Sequence, residues 1–237
     1  MATYDLPAAL ANIPLSQARL ETTLYSLTQQ ELAEDSVLPG WTRGHVLTHI
    51  ARNADSMDRL IEAALTNRLG EQYPGGMEAR NADIEKGAGR PLDEIIDDVS
   101  AGNAKVVTAF ARMTAPTWGR SVRYTTGVYP ASRCAWMRWR EVEIHHVDLG
   151  LESYTIDSWP HEFVSCHLPY ELAKLPARLE PGTSMRVGGS RFGTGPVTAS
   201  VDGTERALLA WLAGRPSLAD AQIESSTGSL PELPRWL

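Results

Sequence analysis

The chain has 237 residues, of which 43% are hydrophobic and 22% charged, with a net charge of -7. That length suits one large domain or two small ones, each able to bury a core. The acidic balance argues against a nucleic-acid backbone as partner. No stretch approaches the roughly 18 apolar residues that span a bilayer, and the start from Met1 to Pro7 lacks the basic and apolar regions of a secretory signal. Cys134 and Cys166 are the only cysteines. Two thiols exclude a four-cysteine zinc site and make no disulfide framework, and they fit a reducing, cytoplasmic location.

Apolar residues at helical spacing predict a first helix over about Leu15 to Leu32, with Leu20, Leu24 and Leu27 on one face. Leu38-Pro39-Gly40 breaks the chain, and Thr42 reads as the N-cap of a second helix running to about Leu65. His49 lies in its apolar band with Val46, Ile50 and Met57. The glycine-rich segment from Asn67 to Pro91 is irregular, with room for a short helix around Glu78 to Glu85. Pro91, followed by Asp93 and Glu94, marks the first turn of a third long helix that stops near Pro116. Trp118 to Pro130 reads as a loop or short extended stretch. A fourth helix follows, since no Gly or Pro interrupts Ala131 to Leu149.

After Gly150 the texture changes, and a boundary is expected at residues 150 to 158. A helix over about His161 to Lys174 is expected, kinked or split by Pro169. Ser184 to Val187, Val197 to Val201 and Gln222 to Ser225 read as strands, and Gly203 to Gly214 holds a short helix. Gly188 to Gly195 has neither a Walker pattern nor a dinucleotide fingerprint and reads as a hairpin or loop.

The chemistry concentrates in the fourth helix. Glu141 and His145 lie four apart, on one face, so a carboxylate and an imidazole can reach the same divalent ion. His49 is the best third donor. A lone inward His is more often a hydrogen-bonded core residue, and a Glu and His four apart also arise by chance. His45 and His146 are rival ligands, and His45 and His49 could pair with each other. Asp148 shares the row of Glu141 and His145 and could orient a ligand from behind. One Glu and two His leave zinc an open position for water or thiol. Cys134 reads as a buried structural thiol, and Arg215, just past a helix end, as a residue favoured there by the helix dipole.

The chain resembles the mycothiol-dependent maleylpyruvate isomerase family, within the wider DinB-like metal-binding four-helix bundles. The matching stretches are Gly40 to Arg43 with His49, Trp136 to Arg138, Arg140 to Val142, Ile144-His145 and Val147 to Gly150. Ala213 to Arg215, Ser225 to Gly228 and the ending Pro234 to Leu237 match in the second half. The segment from Pro216 to Glu224 is slightly longer than the resemblance leads one to expect. The fold implied is α+β, with an N-terminal DinB-like four-helix bundle over 1–152 and a smaller C-terminal α/β domain over 153–237.

The resemblance further implies that His49, Glu141 and His145 bind Zn2+ and that Arg215 is needed for activity. The implied reaction is isomerisation of maleylpyruvate to fumarylpyruvate in gentisate breakdown. Mycothiol acts as cofactor by thiolate addition, bond rotation and elimination. The expected partners are therefore this substrate and mycothiol, with no nucleic acid and no membrane, and a monomer is left open. A zinc- and thiol-dependent S-transferase or hydrolase on the same scaffold is the alternative, and a non-enzymatic carrier the third reading.

Overall fold

The structure is a computed structural model that describes residues 5–219 and 222–234. The described chain forms two compact units that divide between Tyr154 and Thr155.

The first unit is helical. Helix α1 (Leu6–Leu24) is capped by the Asp5 carboxylate, and α2 (Gln29–Ala33) by a capping box between Thr28 and Glu31. The expected single helix to Leu32 is thus two. It breaks without Gly or Pro because Thr28 offers its hydroxyl to the Glu31 N–H and starts a new helix. Helix α3 (Arg43–Leu65) begins at the expected Thr42, and α4 (Gly76–Ala88) fills the segment where a short helix was allowed. Helix α5 (Leu92–Ala111) starts one residue later than expected, with Pro91 at the N-cap rather than inside the first turn. A one-turn α6 (Ala115–Trp118) leads into an antiparallel hairpin of β1 (Ser121–Tyr124) and β2 (Gly127–Pro130). Helix α7 (Ser132–Asp148) closes the bundle.

The bundle core joins all four long helices: Leu20 and Leu24 of α1, Leu47 and Ile50 of α3, Val99 of α5 and Val142 of α7 are fully buried. Each such side chain contributes roughly 1.5–3 kcal/mol of transfer free energy. Polar ties then fix the register. Arg138 on α7, itself completely buried, donates to the Ile50 carbonyl (2.8 Å) and Asn53 (2.9 Å) of α3 and to Asn103 (2.7 Å) of α5. Arg43 at the start of α3 donates to the Leu149 carbonyl just past α7 (2.8 Å). Glu143 takes Ser16, Arg19 and Tyr154, so it binds α7 to α1.

The second unit is α+β. A 3-10 turn at Ile156–Ser158 precedes α8 (His161–Lys174), which runs through Pro169 without being split by it. Then come β3 (Ser184–Val187), β4 (Ser190–Gly193), β5 (Val197–Gly203), α9 (Glu205–Leu212), α10 (Pro216–Ala219) and β6 (Ile223–Ser225). The sheet order is β4-β3-β5-β6, with β3 and β5 parallel and the other pairs antiparallel. Glycine-rich Gly188 to Gly195 is the β3–β4 hairpin and its exit. Among the described residues no helix is long and apolar enough to cross a membrane.

Candidate metal centre

Arg138 and Arg43 tie α7 against α3 on either side of the level where His49 and His145 face each other. The imidazole Nε2 atoms of these two residues are 3.0 Å apart. A Glu141 carboxylate oxygen lies 3.0 Å from the first and 3.3 Å from the second. The three donors therefore form a small triangle. Metal–ligand bonds of about 2.0–2.1 Å in a tetrahedron place ligands about 3.3 Å apart, so the triangle is a slightly contracted face of such a site. At most one proton fits between two nitrogens at this distance, while a single cation satisfies all three lone pairs. The donor set fits zinc. Both rings are more than nine-tenths buried, and Glu141 is only slightly more exposed.

The electrostatics follow from burial and mutual contact. Burial, reinforced by neighbouring His145, pushes His49 down to about 4, so its ring is neutral near pH 7. Burial alone would raise Glu141; hydrogen bonds and charge from His145 and His49 outweigh it and hold the carboxyl well below the usual range. Burial also opposes charge on His145, but hydrogen bonds to Asp148 and Glu141 prevail and raise it.

Asp148 is where the helical row puts it, with its carboxylate 2.8 Å from His145 Nδ1. It is completely buried. It accepts the Nδ1 proton and so leaves the Nε2 lone pair of His145 directed at the triangle. The rival histidines point elsewhere. His45 folds back so that its Nδ1 accepts from the Thr42 backbone (3.2 Å), completing the N-cap of α3. His146 lies against Thr23 (2.8 Å) and stacks on Tyr154 at 3.5 Å. Cys134 is fully buried and its thiol is pushed up to about 12 by burial, in keeping with a structural role.

Arg215 belongs to the second unit, directly after α9. Its backbone N–H returns to the Ala210 carbonyl (2.8 Å), and its guanidinium donates to the Ala213 carbonyl (2.7 Å).

One neighbour of the triangle escaped the sequence reading. Arg80 on α4 places Nη2 2.7 Å from His49 Nδ1. Helix α4 comes this close because two glycines remove side chains at its contact with α3. A Cβ on Gly44 would lie 2.2 Å from the Ala88 carbonyl oxygen, and one on Gly87 2.5 Å from Thr48. No periodic pattern marked Arg80, which sits in the segment read as irregular.

Residues 14–150 match the family model described as the mycothiol maleylpyruvate isomerase N-terminal domain. The chain belongs to the mycothiol maleylpyruvate isomerase family. A crystal structure of the mycothiol-dependent maleylpyruvate isomerase is similar with a TM-score of 0.85 at 29% identity, covering 98% of this chain and 97% of that one. A crystal structure of a histidine-to-alanine mutant of that isomerase matches with the same figures. No curated protein sequence matches the chain. The isomerase family is one of enzymes, and the α+β architecture of this member is that of the solved isomerase. The final part of the resemblance, Arg235 to Leu237, lies outside the described residues.

Proposed function

We propose that the chain is a zinc- and mycothiol-dependent maleylpyruvate isomerase that forms fumarylpyruvate in cytoplasmic gentisate degradation. The observation that carries the reading is the triangle of His49, Glu141 and His145 in a chain that matches the solved isomerase along 98% of its length. His49 and His145 through Nε2, and Glu141 through a carboxylate oxygen, would hold zinc and leave one position open. Bound there, zinc would lower the pKa of a thiol, and mycothiol would supply a thiolate whose reversible addition turns the cis double bond into a single bond free to rotate.

The protein's own residues prepare that chemistry. Asp148 holds the His145 tautomer, and the contacts of Glu141 with His145 and His49 hold its carboxyl anionic. The burial of both histidines keeps bulk water from competing for the centre. We assign Arg215, in a C-terminal domain taken as 153–237 against a bundle of 1–152, to hold a substrate carboxylate. Its planar fork matches that group in two bonds where a lysine gives one.

The test is an isomerisation assay on zinc-loaded protein with maleylpyruvate, with and without mycothiol. Turnover that requires mycothiol and returns it unconsumed is expected. Absence of turnover with one zinc per chain would redirect the assignment to a thiol S-transferase or hydrolase. Purification without stoichiometric metal would favour a carrier.

A further inference from the structure

Five arginines of the bundle pair with carboxylates: Arg19 with Glu143, Arg43 with Glu34, Arg52 and Arg90 with Asp98, and Arg112 with Glu62. Arg80 is different. Among the described residues no carboxylate lies within ion-pair distance of it. Its Nη1 donates to Asn81 (2.9 Å) and its Nη2 to His49 Nδ1 (2.7 Å). The guanidinium lies 5.8 Å from the Trp41 ring and 5.9 Å from the Tyr73 ring. Its Nε is buried and has no hydrogen-bond partner.

The bond to His49 has a consequence for the metal centre. Arginine only donates, so His49 Nδ1 must accept, which places the ring's proton on Nε2. A neutral imidazole that ligates through Nε2 carries its proton on Nδ1 instead. His49 cannot ligate as a neutral ring and also accept from Arg80. His145 has no such conflict, because its Nδ1–H donates to the Asp148 carboxylate. Ligation by His49 therefore releases Nη2 of Arg80. The released Nη2 and the unpartnered Nε lie on one edge of the guanidinium and form the two-pronged fork that a carboxylate accepts. The Trp41 and Tyr73 rings lie beside the guanidinium, and Tyr73 also hydrogen-bonds it through its side chain.

We propose that Arg80 is a carboxylate-binding residue of this centre, taking one carboxylate of the dianionic substrate on its Nε/Nη2 edge once His49 ligates the metal. This rests on the reading of the triangle as a metal centre that handles a dicarboxylate. Arg80 stands one imidazole ring away from the donor triangle, on the Nδ1 side of His49.

The probe is maleate, a cis-dicarboxylate, titrated calorimetrically into the zinc-loaded full chain without thiol, for wild type, Arg80→Met and Arg80→Lys. Zinc stoichiometry and zinc affinity are measured on the same samples. Losing a charge-assisted two-pronged contact should weaken maleate binding about tenfold or more in Arg80→Met. Arg80→Lys, which keeps charge without the fork, should fall between and also serves if the Met variant folds poorly. Zinc content should stay at one per chain, with affinity equal to or above wild type because a competing donor has gone. Maleate affinity within twofold of wild type in both variants would overturn the proposal. So would a wild type that binds no maleate, or variants that lose zinc. A wild type that binds maleate through Arg80 yet leaves maleylpyruvate untouched in the presence of mycothiol would sink the isomerase reading and leave this one standing.

Discussion

Replacing Asp148 with Asn tests whether the triangle is a metal centre or a set of buried hydrogen bonds. The Asp148 carboxylate is completely buried and 2.8 Å from His145 Nδ1. It fixes the ring's proton on Nδ1 and adds negative charge behind the ligand. An Asn amide keeps the size, removes the charge, and can turn its NH2 towards Nδ1. That arrangement favours the tautomer with the proton on Nε2, which cannot ligate. Partners of this kind are worth about 10–100-fold in metal affinity, or about 1.4–2.8 kcal/mol. Zinc affinity measured by competition with a chromophoric chelator should fall by that factor. The backbone carbonyl of Asp148 still accepts from Val37 (2.9 Å), so the fold should persist. Zinc affinity unchanged in Asp148→Asn, with the same melting temperature, would refute the argument that Asp148 sets the ligating tautomer of His145.

Burial and nearby Arg19 push His146 down to about 3 from an ordinary 6.5. Between those values the unfolded chain binds a proton that the folded chain does not, so stability falls as pH drops, by up to about 1.4 kcal/mol per unit. Urea unfolding at about pH 7 and about pH 5 should show a smaller loss in His146→Gln than in wild type; equal losses would count against the assignment. Zinc affinity should fall as pH is lowered through the raised value of His145, because the proton competes for Nε2, and chelator competition across a pH series checks this. With Cys134 fully buried and its thiol pushed up to about 12, a thiol reagent should label native protein at Cys166 alone and reach Cys134 only on unfolding. Arg215→Lys should lose most isomerase activity with zinc content unchanged, as read by turnover and metal analysis; loss of zinc would make the residue structural.

Three of the four long helices were legible because their signals are local, whereas α1 begins at Leu6, nine residues before the expected Leu15. Thr42, Pro91 and the uninterrupted run through α7 each act within a turn or two, and the observed starts fall within a residue of the expected ones. The break between α1 and α2 was not, since it depends on Thr28 and Glu31 bonding each other in place of continuing the helix. The same limit governed the site. His45 and His49 share a helical row, and so do Glu141 and His145, so spacing left the choice of ligands open. The structure separates them by what each ring touches: Thr42 for His45, Thr23 and Tyr154 for His146, and one another for His49, Glu141 and His145. Arg80 had no local signal, because its place against His49 is set by the close approach of α4 to α3 at Gly44 and Gly87.

The two histidines of the triangle are held in opposite ways. An anion behind His145 stabilises the proton position that ligation needs, while a cation behind His49 stabilises the one that ligation forbids. A site built only for tight metal binding would place a carboxylate or carbonyl behind both rings. On the reading of the triangle as a metal centre, a guanidinium behind one ring would sacrifice some metal affinity and keep a positive group one imidazole ring from the ion. In a chain of net charge -7 whose proposed substrate is a dianion, that local charge answers the electrostatic difficulty of bringing substrate to the centre. On that reading the coupling also has a direction: ligation of the metal by His49 would make Arg80 more available to an anion. Anion binding at Arg80 should in turn tighten the metal, by the reciprocity that holds for any two linked binding equilibria.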